Sequence, residues 1–242
     1  MTRFIISISS VFSFLIIAFS VKAQVKHGET YEFKDVYDSA YGITAYEALN
    51  MNTGGDSTRN DAKGYAAQGW FEDYYPGDQL LHKGYYIDGQ LKAYKNFYPS
   101  GQVEREFKMT DLSKSAMNVY YQDGKPRSTI VYVGSNAVKE EDYYPSGQLE
   151  YIEEYDKKGE YYQQRKFYSA NGKPTSILEL TDPKRKIYSS KEYYDNGNIK
   201  EEGPTIYNEG LGDYQKNGKW KFYNENGTLK EEKSFAKGEE GE

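Results

Sequence analysis

The chain has 242 residues, no cysteine, 31 basic against 37 acidic side chains, and 27 tyrosines. The absent thiol excludes a disulfide scaffold and a lipid-modified cysteine anchor, so stability has to come from packing. Nucleic acid is excluded as a partner, because phosphate binding needs clustered cations and here Lys and Glu interleave along the whole chain.

Residues 1–23 read as a secretory signal peptide. Arg3 supplies a short positive start, residues 4–21 are apolar apart from five serines, and Val21-Lys22-Ala23 before Gln24 is a small-residue cleavage site. The serines argue against an uncleaved anchor, although the run has about the ~18 residues a membrane span needs. Cleavage removes Arg3 and Lys22 and no acid, so the mature chain is more acidic still. The remainder of the chain has no second apolar run of that length. The expectation is an exported protein, periplasmic, cell-surface or secreted, with no membrane insertion after cleavage.

Residues 24–69 precede the patterned part. Tyr37, Tyr41, Ala45 and Leu49 recur every fourth position after Asp35, a capping residue, which predicts a helix over 36–51, with Gly42 counting against it. Residues 52–64 are rich in Gly, Asn, Asp, Ser and Thr and read as a loop. The segment is expected to form a short helical or irregular cap on the patterned part.

From residue 70 to 235 the chain repeats. Paired aromatics stand at Tyr74-Tyr75, Phe97-Tyr98, Tyr120-Tyr121, Tyr143-Tyr144, Phe167-Tyr168, Tyr193-Tyr194 and Phe222-Tyr223, with a half-unit at Tyr85-Tyr86. The spacing is about 23 residues and widens toward the C-terminus, a period that decides the architecture before any local reading does. Three or four positions after each pair comes a glycine: Gly89, Gly101, Gly124, Gly147, Gly172, Gly197 or Gly227. Two positions beyond it stands an apolar residue or proline: Leu91, Val103, Pro126, Leu149, Pro174, Ile199 or Leu229. The unit at Tyr75 departs, with Gly77 one place early and Asp78 where the glycine belongs.

Tyr98-Pro99-Ser100-Gly101 and Tyr144-Pro145-Ser146-Gly147 have the chemistry of a three-residue hairpin turn. Proline fixes φ at the first central position and glycine takes the left-handed position that closes the turn with a bulge. Asp88-Gly89, Asp123-Gly124 and Asn196-Gly197 are expected to act the same way. The flanks alternate, as in Lys219-Trp220-Lys221-Phe222, with the period of a half-exposed strand. About 23 residues hold two strands of about 7 to 8 residues and two turns. The fold expected is therefore mainly β, an open antiparallel β-meander of tandem hairpins, each marginal until its neighbours stack against it. Leu, Ile and Val are scarce, so aromatic rings, which each remove ~150–250 Å² from water when buried, stand in for the aliphatic core. Residues 236–242 are charged and read as a flexible tail.

Residues 218–231, Gly-Lys-Trp-Lys-Phe-Tyr-Asn-Glu-Asn-Gly-Thr-Leu-Lys-Glu, resemble the MORN-repeat variant found in proteins labelled YwqK-type antitoxins. The units at Tyr98, Tyr144 and Tyr194 are similar, and the resemblance runs over about two thirds of the chain, with Pro126 and Pro174 departing from the usual aliphatic residue. It implies an open β-meander and a protein-binding role. A signal peptide does not suit an antitoxin against a cytoplasmic toxin, so the fold carries over more readily than the label.

No nucleophile–base–orienter set stands out, since the only histidines are His27 and His82 and neither lies in a suggestive motif. Gly55-Asp56-Ser57 matches an esterase nucleophile block over three residues only, and its Asp-x-x-His partner is missing. The doublets Glu140-Glu141, Glu153-Glu154, Glu201-Glu202 and Glu231-Glu232 recur at one place in several repeats, as a solvated strand face or protected edge would; glycosidase work is the other use of such groups. Neither a calcium loop nor a transition-metal cluster is present in the pattern, and no cofactor is expected. The residues that define the repeats are Tyr75, Tyr86, Tyr98, Tyr121, Tyr144, Tyr168, Tyr194, Trp220 and Tyr223 with the seven glycines. Their rings serve first as the core of a thin sheet and then as a face for a partner. The expected function is a non-catalytic protein-binding module or scaffold of the cell envelope, antitoxin- or immunity-like in one form. The alternative is a carbohydrate- or peptidoglycan-binding surface protein.

Overall fold

The computed structural model describes residues 26–30, 32, 37–38, 43–44, 58–111 and 113–241. Residues 1–23, which the sequence reads as a signal peptide, and Gly55-Asp56-Ser57 lie outside them. The strands are β1 (Lys26–Thr30), β2 (Tyr37–Asp38), β3 (Ile43–Thr44), β4 (Gly69–Tyr74), β5 (Leu80–Ile87), β6 (Gln90–Phe97), β7 (Val103–Met109), β8 (Lys114–Tyr120), β9 (Pro126–Val133) and β10 (Asn136–Tyr143). They continue as β11 (Leu149–Tyr155), β12 (Tyr162–Tyr168), β13 (Pro174–Asp182), β14 (Ile187–Tyr193), β15 (Ile199–Asn208), β16 (Asp213–Lys216), β17 (Gly218–Tyr223), β18 (Leu229–Ala236) and β19 (Glu239–Glu240).

From β4 to β15 every strand pairs antiparallel with the next, as local hairpins dictate. β15 then takes both β16 and β17 along one edge, and β18 and β19 complete the sheet. β1 lies parallel to β4 at the opposite edge. The product is one open 17-stranded sheet, the β-meander that the tandem pattern requires.

Two terminal expectations are corrected. Where a helix is predicted over 36–51, the described residues form a two-rung antiparallel ladder, Tyr37 opposite Thr44 and Asp38 opposite Ile43. Gly42 and the β-branched Ile43 and Thr44 weaken a helix at its centre and favour extended backbone, which outweighs a four-residue spacing. The tail read as flexible instead continues the sheet to Glu240. Lys237 and Gly238 both take positive φ, 51° and 90°, and fold β19 back on β18.

The turn chemistry holds at most units. At Tyr98 the Gly101 N–H donates to the Tyr98 carbonyl at 2.8 Å, and the Tyr98 N–H donates to the Gln102 carbonyl at 2.9 Å. Gly101, Gly124, Gly147, Gly172, Gly197 and Gly227 all sit at φ between 79° and 93°. Asp88-Gly89 differs: both residues have positive φ (50° and 77°) and Ile87 pairs directly with Gln90, so this is a two-residue primed turn. In the irregular first unit Gly77 and Asp78 share the left-handed work at 85° and 63°, and aspartate tolerates that region better than most side chains.

One row of register partners, Phe71–Gly84–Tyr94–Phe107–Met117–Ile130–Glu140–Glu153–Arg165–Leu178, crosses most of the sheet on a single face, here the inner face. Its first part is the core, where Phe71, Tyr86, Leu91, Tyr94, Phe107, Met117, Val119 and Tyr132 are buried together with Ala67. Rings do the aliphatic work there, Phe71 edge-on to Tyr86 at 5.6 Å and Tyr94 stacked on Phe107 at 5.6 Å. Arg59 closes this part of the face. Its guanidinium makes two 2.7 Å bonds to the fully buried Asp73 and lies 5.0 Å over the Phe71 ring. From β10 to β17 most strand residues are half-buried on both faces, only Leu178, Tyr188, Thr205 and Trp220 are buried, and β18 is largely exposed.

Gly147 sits at φ 89° with nothing within 4 Å of an added Cβ, so backbone strain is the only effect of a side chain there. Gly147→Val is expected to cost more than about 1 kcal/mol, read as a lower midpoint in thermal or urea unfolding. Unchanged stability would remove the turn assignment.

Candidate binding face and tyrosine ladder

The repeat tyrosines are joined by their hydroxyls. Tyr75 donates to the Phe97 carbonyl at 2.9 Å, Tyr98 to Tyr120 at 2.9 Å, Tyr121 to Tyr143 at 2.6 Å, Tyr144 to Tyr168 at 2.8 Å and Tyr194 to Tyr223 at 2.8 Å. Each donor opens a hairpin turn, and each acceptor is the last residue before the next turn. Strand pairing already links the backbones, and this ladder links one hairpin to the next through side chains. Burial raises the pKa of Tyr75 and Tyr121, so both hydroxyls stay protonated donors.

The ladder corrects the assignment of two residues. Tyr168 and Tyr223 are not counterparts of Tyr98. The turns there open on Ser169 and Asn224, whose N–H groups donate to the carbonyls of Lys173 and Thr228. Tyr168 and Tyr223 therefore hold the preceding place and act as acceptors. Two of the other proposed residues also serve elsewhere. Tyr86 is fully buried in the core with its hydroxyl 3.2 Å from His82 Nε2. Trp220 is 2% exposed, donates its indole N–H to the Pro204 carbonyl at 2.7 Å, and packs so closely on Gly203 that a Cβ there would lie 2.5 Å from the indole.

On the outer face the residue before each turn pairs with the apolar follower of the glycine: Phe97 with Val103, Tyr120 with Pro126, Tyr143 with Leu149, Tyr168 with Pro174, Tyr193 with Ile199 and Tyr223 with Leu229. The follower rule is thus a cross-strand rung. Several of these tyrosines donate to glutamates, Tyr120 to Glu106 and Tyr143 to Glu141, both at 2.8 Å. Burial first, and then the glutamate bond, push both phenols up to about 12.

Adjacent glutamates do not form dyads, because consecutive strand residues point to opposite faces. Glu141 lies outside with Lys139 and Tyr143, whereas Glu140 lies inside opposite Glu153. Glu202 lies outside near Lys191, whereas Glu201 lies inside with Lys216. His82 is a core residue. It is fully buried between Asn96 and Tyr86, and burial depresses its pKa to about 4. Among the described residues no group of three His, Asp or Glu side chains is placed to hold a metal, and no helix is long and apolar enough to cross a membrane.

What the inner face offers beyond β9 is an aromatic and acidic surface that composition did not disclose. Tyr151 and Phe167 lie 4.6 Å apart, and Phe167 is 39% exposed. Tyr155 and Tyr162 lie 4.5 Å apart, and Tyr214 joins Tyr162, Tyr188 and Tyr207 within 5.3 Å. Arg165 lies opposite Glu153 in register, yet its guanidinium stands 4.9 Å over the Tyr162 ring, and Glu153 accepts the Tyr151 hydroxyl instead. Two like-charged pairs face across strands, Glu140 with Glu153 and Glu192 with Glu201. Burial, then Asp142 and Glu153, push the Glu140 carboxyl up to about 7.

An extended face carried on stacked hairpins defines a class, an open β-meander repeat protein with a binding or scaffolding role. Residues 138–157, 189–206 and 216–237 match the family model of the MORN repeat variant, each match spanning one strand–turn–strand hairpin. No curated protein matches the chain.

Two outcomes test this geometry. Tyr121→Phe removes one ladder bond with little change of shape and is expected to cost about 1 kcal/mol in chemical unfolding. Glu140 has a folded pKa above the unfolded value near 4.5. Its contribution is therefore fully present below pH 4.5 and is lost as pH rises toward 7. Glu140→Gln is expected to flatten stability against pH in that window and to raise stability at pH 8 by about 1 kcal/mol, an amount reduced for partial exposure. An unchanged pH profile would contradict it.

Proposed function

We propose that the chain is exported by residues 1–23 and acts in the envelope or outside the cell as a non-catalytic binding module, holding a protein partner on the inner face of β10 to β18. The observation that carries the reading is the change along that face. The same register row that is a sealed aromatic core from Phe71 to Met117 becomes half-buried at Glu140, Glu153 and Arg165, with the Tyr151 and Phe167 rings beside it. Exposed aromatics beside polar groups are the composition of interfaces. Glu201 already holds Lys216, so it is the Glu140–Glu153 pair that favours a partner presenting Lys or Arg, since a cation between them relieves their repulsion. A toxin or effector neutralised outside the cytoplasm is one partner of this kind, and it reconciles the YwqK-type label with an exported chain.

The second reading, a carbohydrate- or peptidoglycan-binding surface, is favoured by a different place, the Trp70–Tyr85 aromatic pair on the outer face.

For the first reading, residues 24–242 serve as bait against envelope and secreted fractions of the host, beside the same bait carrying Phe167→Glu. A stoichiometric protein held by the unchanged bait and lost from the variant is expected. Equal retention by both baits, or recovery of no protein, overturns it.

A further inference from the structure

We propose that the outer face of β4 to β8 carries a second binding site, for a saccharide bearing a carboxylate, with Trp70, held by Tyr85, as its ring platform and Lys108 as its anion contact. This rests on the second reading above and specifies its ligand.

The site arises from one row of the sheet. On the outer face Trp70, Tyr85, Ala93, Lys108, Ala116 and Val131 are successive register partners. Trp70, Ala93 and Ala116 hold the same position of successive repeats, where the next repeat has Lys139. Replacing a long side chain by a methyl twice in neighbouring hairpins leaves a trough. Its cavity is ≈ 680 Å³, with Trp70 at one end and the two alanines on its floor. That volume lies within the ~300–1,000 Å³ typical of small-molecule sites. The inner side of these strands is the buried core, so the trough floor is rigid and formed in advance.

The lining selects the chemistry. Trp70 lines the trough, and Tyr85, 5.2 Å from it at 53° and likewise half-buried, packs against it and holds its ring. Aromatic faces stack against the C–H face of a sugar ring. The rim mixes donors and acceptors, Asn118 and Lys95 with Glu106, as alternating hydroxyls require. Two of the lysines are neutralised, Lys83 by Glu72 at 2.6 Å and Lys95 by Glu106 at 3.1 Å. Lys108 stands between Ala93 and Ala116, exposed, and has no ion-pair partner among the described residues. An unopposed cation in the middle of a trough, on a chain that is acidic overall, points to an anionic group on the ligand.

The protein has two tryptophans, and Trp220 is 2% exposed with its N–H already bonded. A ligand-dependent change in tryptophan fluorescence therefore reports on Trp70, with Trp220 contributing a constant background. The purified protein is titrated with an oligogalacturonate trimer, with a neutral cellotriose, and with a triglutamate peptide, with calorimetry in parallel. Saturable quenching by oligogalacturonate is expected, at least about tenfold tighter than by the other two, a difference of ~1.4 kcal/mol. Lys108→Met is expected to bring oligogalacturonate to the cellotriose level without moving the unfolding midpoint, and Trp70→Ala to abolish calorimetric binding. Equal affinity for the neutral and acidic sugars overturns the carboxylate assignment while the saccharide reading stands. Binding that survives Trp70→Ala overturns the site, tighter binding of triglutamate overturns the ligand class, and no binding of either sugar overturns both this inference and the reading beneath it.

Discussion

The hydrogen bond from a turn-opening tyrosine hydroxyl to the carbonyl at the end of the next hairpin constrains the rest of this fold. A single-layer meander has backbone bonds within each pair of strands but little to fix the angle between hairpins, and it lacks a second sheet to press against. A phenol is long enough to cross from one turn to the next and offers a ring to bury on the way. Each such bond contributes about 1 kcal/mol net, but five of them in register hold one edge of the sheet to a single geometry. Leucine could fill the space and could not make the bond, which gives a physical reason for a chain with 27 tyrosines.

The same constraint explains where the repeat is allowed to drift. At the ladder edge the turns from Tyr98 onward are three-residue loops closed by a glycine at positive φ. At the far edge the connections vary, from the pair Gly134-Ser135 to the longer loop 156–161 stabilised by Asp156. The spacing grows toward the C-terminus because insertions accumulate only where no tyrosine has to reach its neighbour. Ser169 interrupts the ladder in this edge, and the Tyr188 hydroxyl, bonded to the Tyr162 carbonyl at 2.8 Å, ties the same hairpins from the opposite side.

Much of this is readable from spacing alone. The glycines are recognisable because a left-handed position tolerates little else, and the apolar follower because it is the rung opposite the last aromatic. The errors have one source, which is that residue identity is counted where position decides. Phe167-Tyr168 and Phe222-Tyr223 look like the other pairs, yet glycine falls four places on rather than three, and that extra residue shifts each pair by one. Asp88-Gly89 resembles Asp123-Gly124 in sequence, and only the connection length separates a two-residue turn from a three-residue one. Trp220 has the look of a surface ring because its neighbours are lysines, but Gly203 opens a slot for it from a strand seventeen positions earlier. The Arg59–Asp73 closure leaves no sequence signal, since it joins an irregular segment to a strand through tertiary packing.

The charges show which parts of the sheet are built for stability and which are not. On the outer face opposite charges are paired across strands, as Lys83 with Glu72, Lys95 with Glu106 and Lys166 with Glu179, an arrangement that keeps a single-layer surface soluble at small cost. The inner face beyond β9 breaks this rule twice, with Glu140 against Glu153 and Glu192 against Glu201. A lysine in place of either glutamate would be the simpler solution for folding. Arg165 is within a rung of Glu153 and is spent on the Tyr162 ring instead. The outer face has a like-charged rung of its own, Lys83 opposite Lys95, but each of those lysines has a glutamate partner, whereas Glu140 and Glu153 have no ion pair among the described residues, so their rung stays uncompensated.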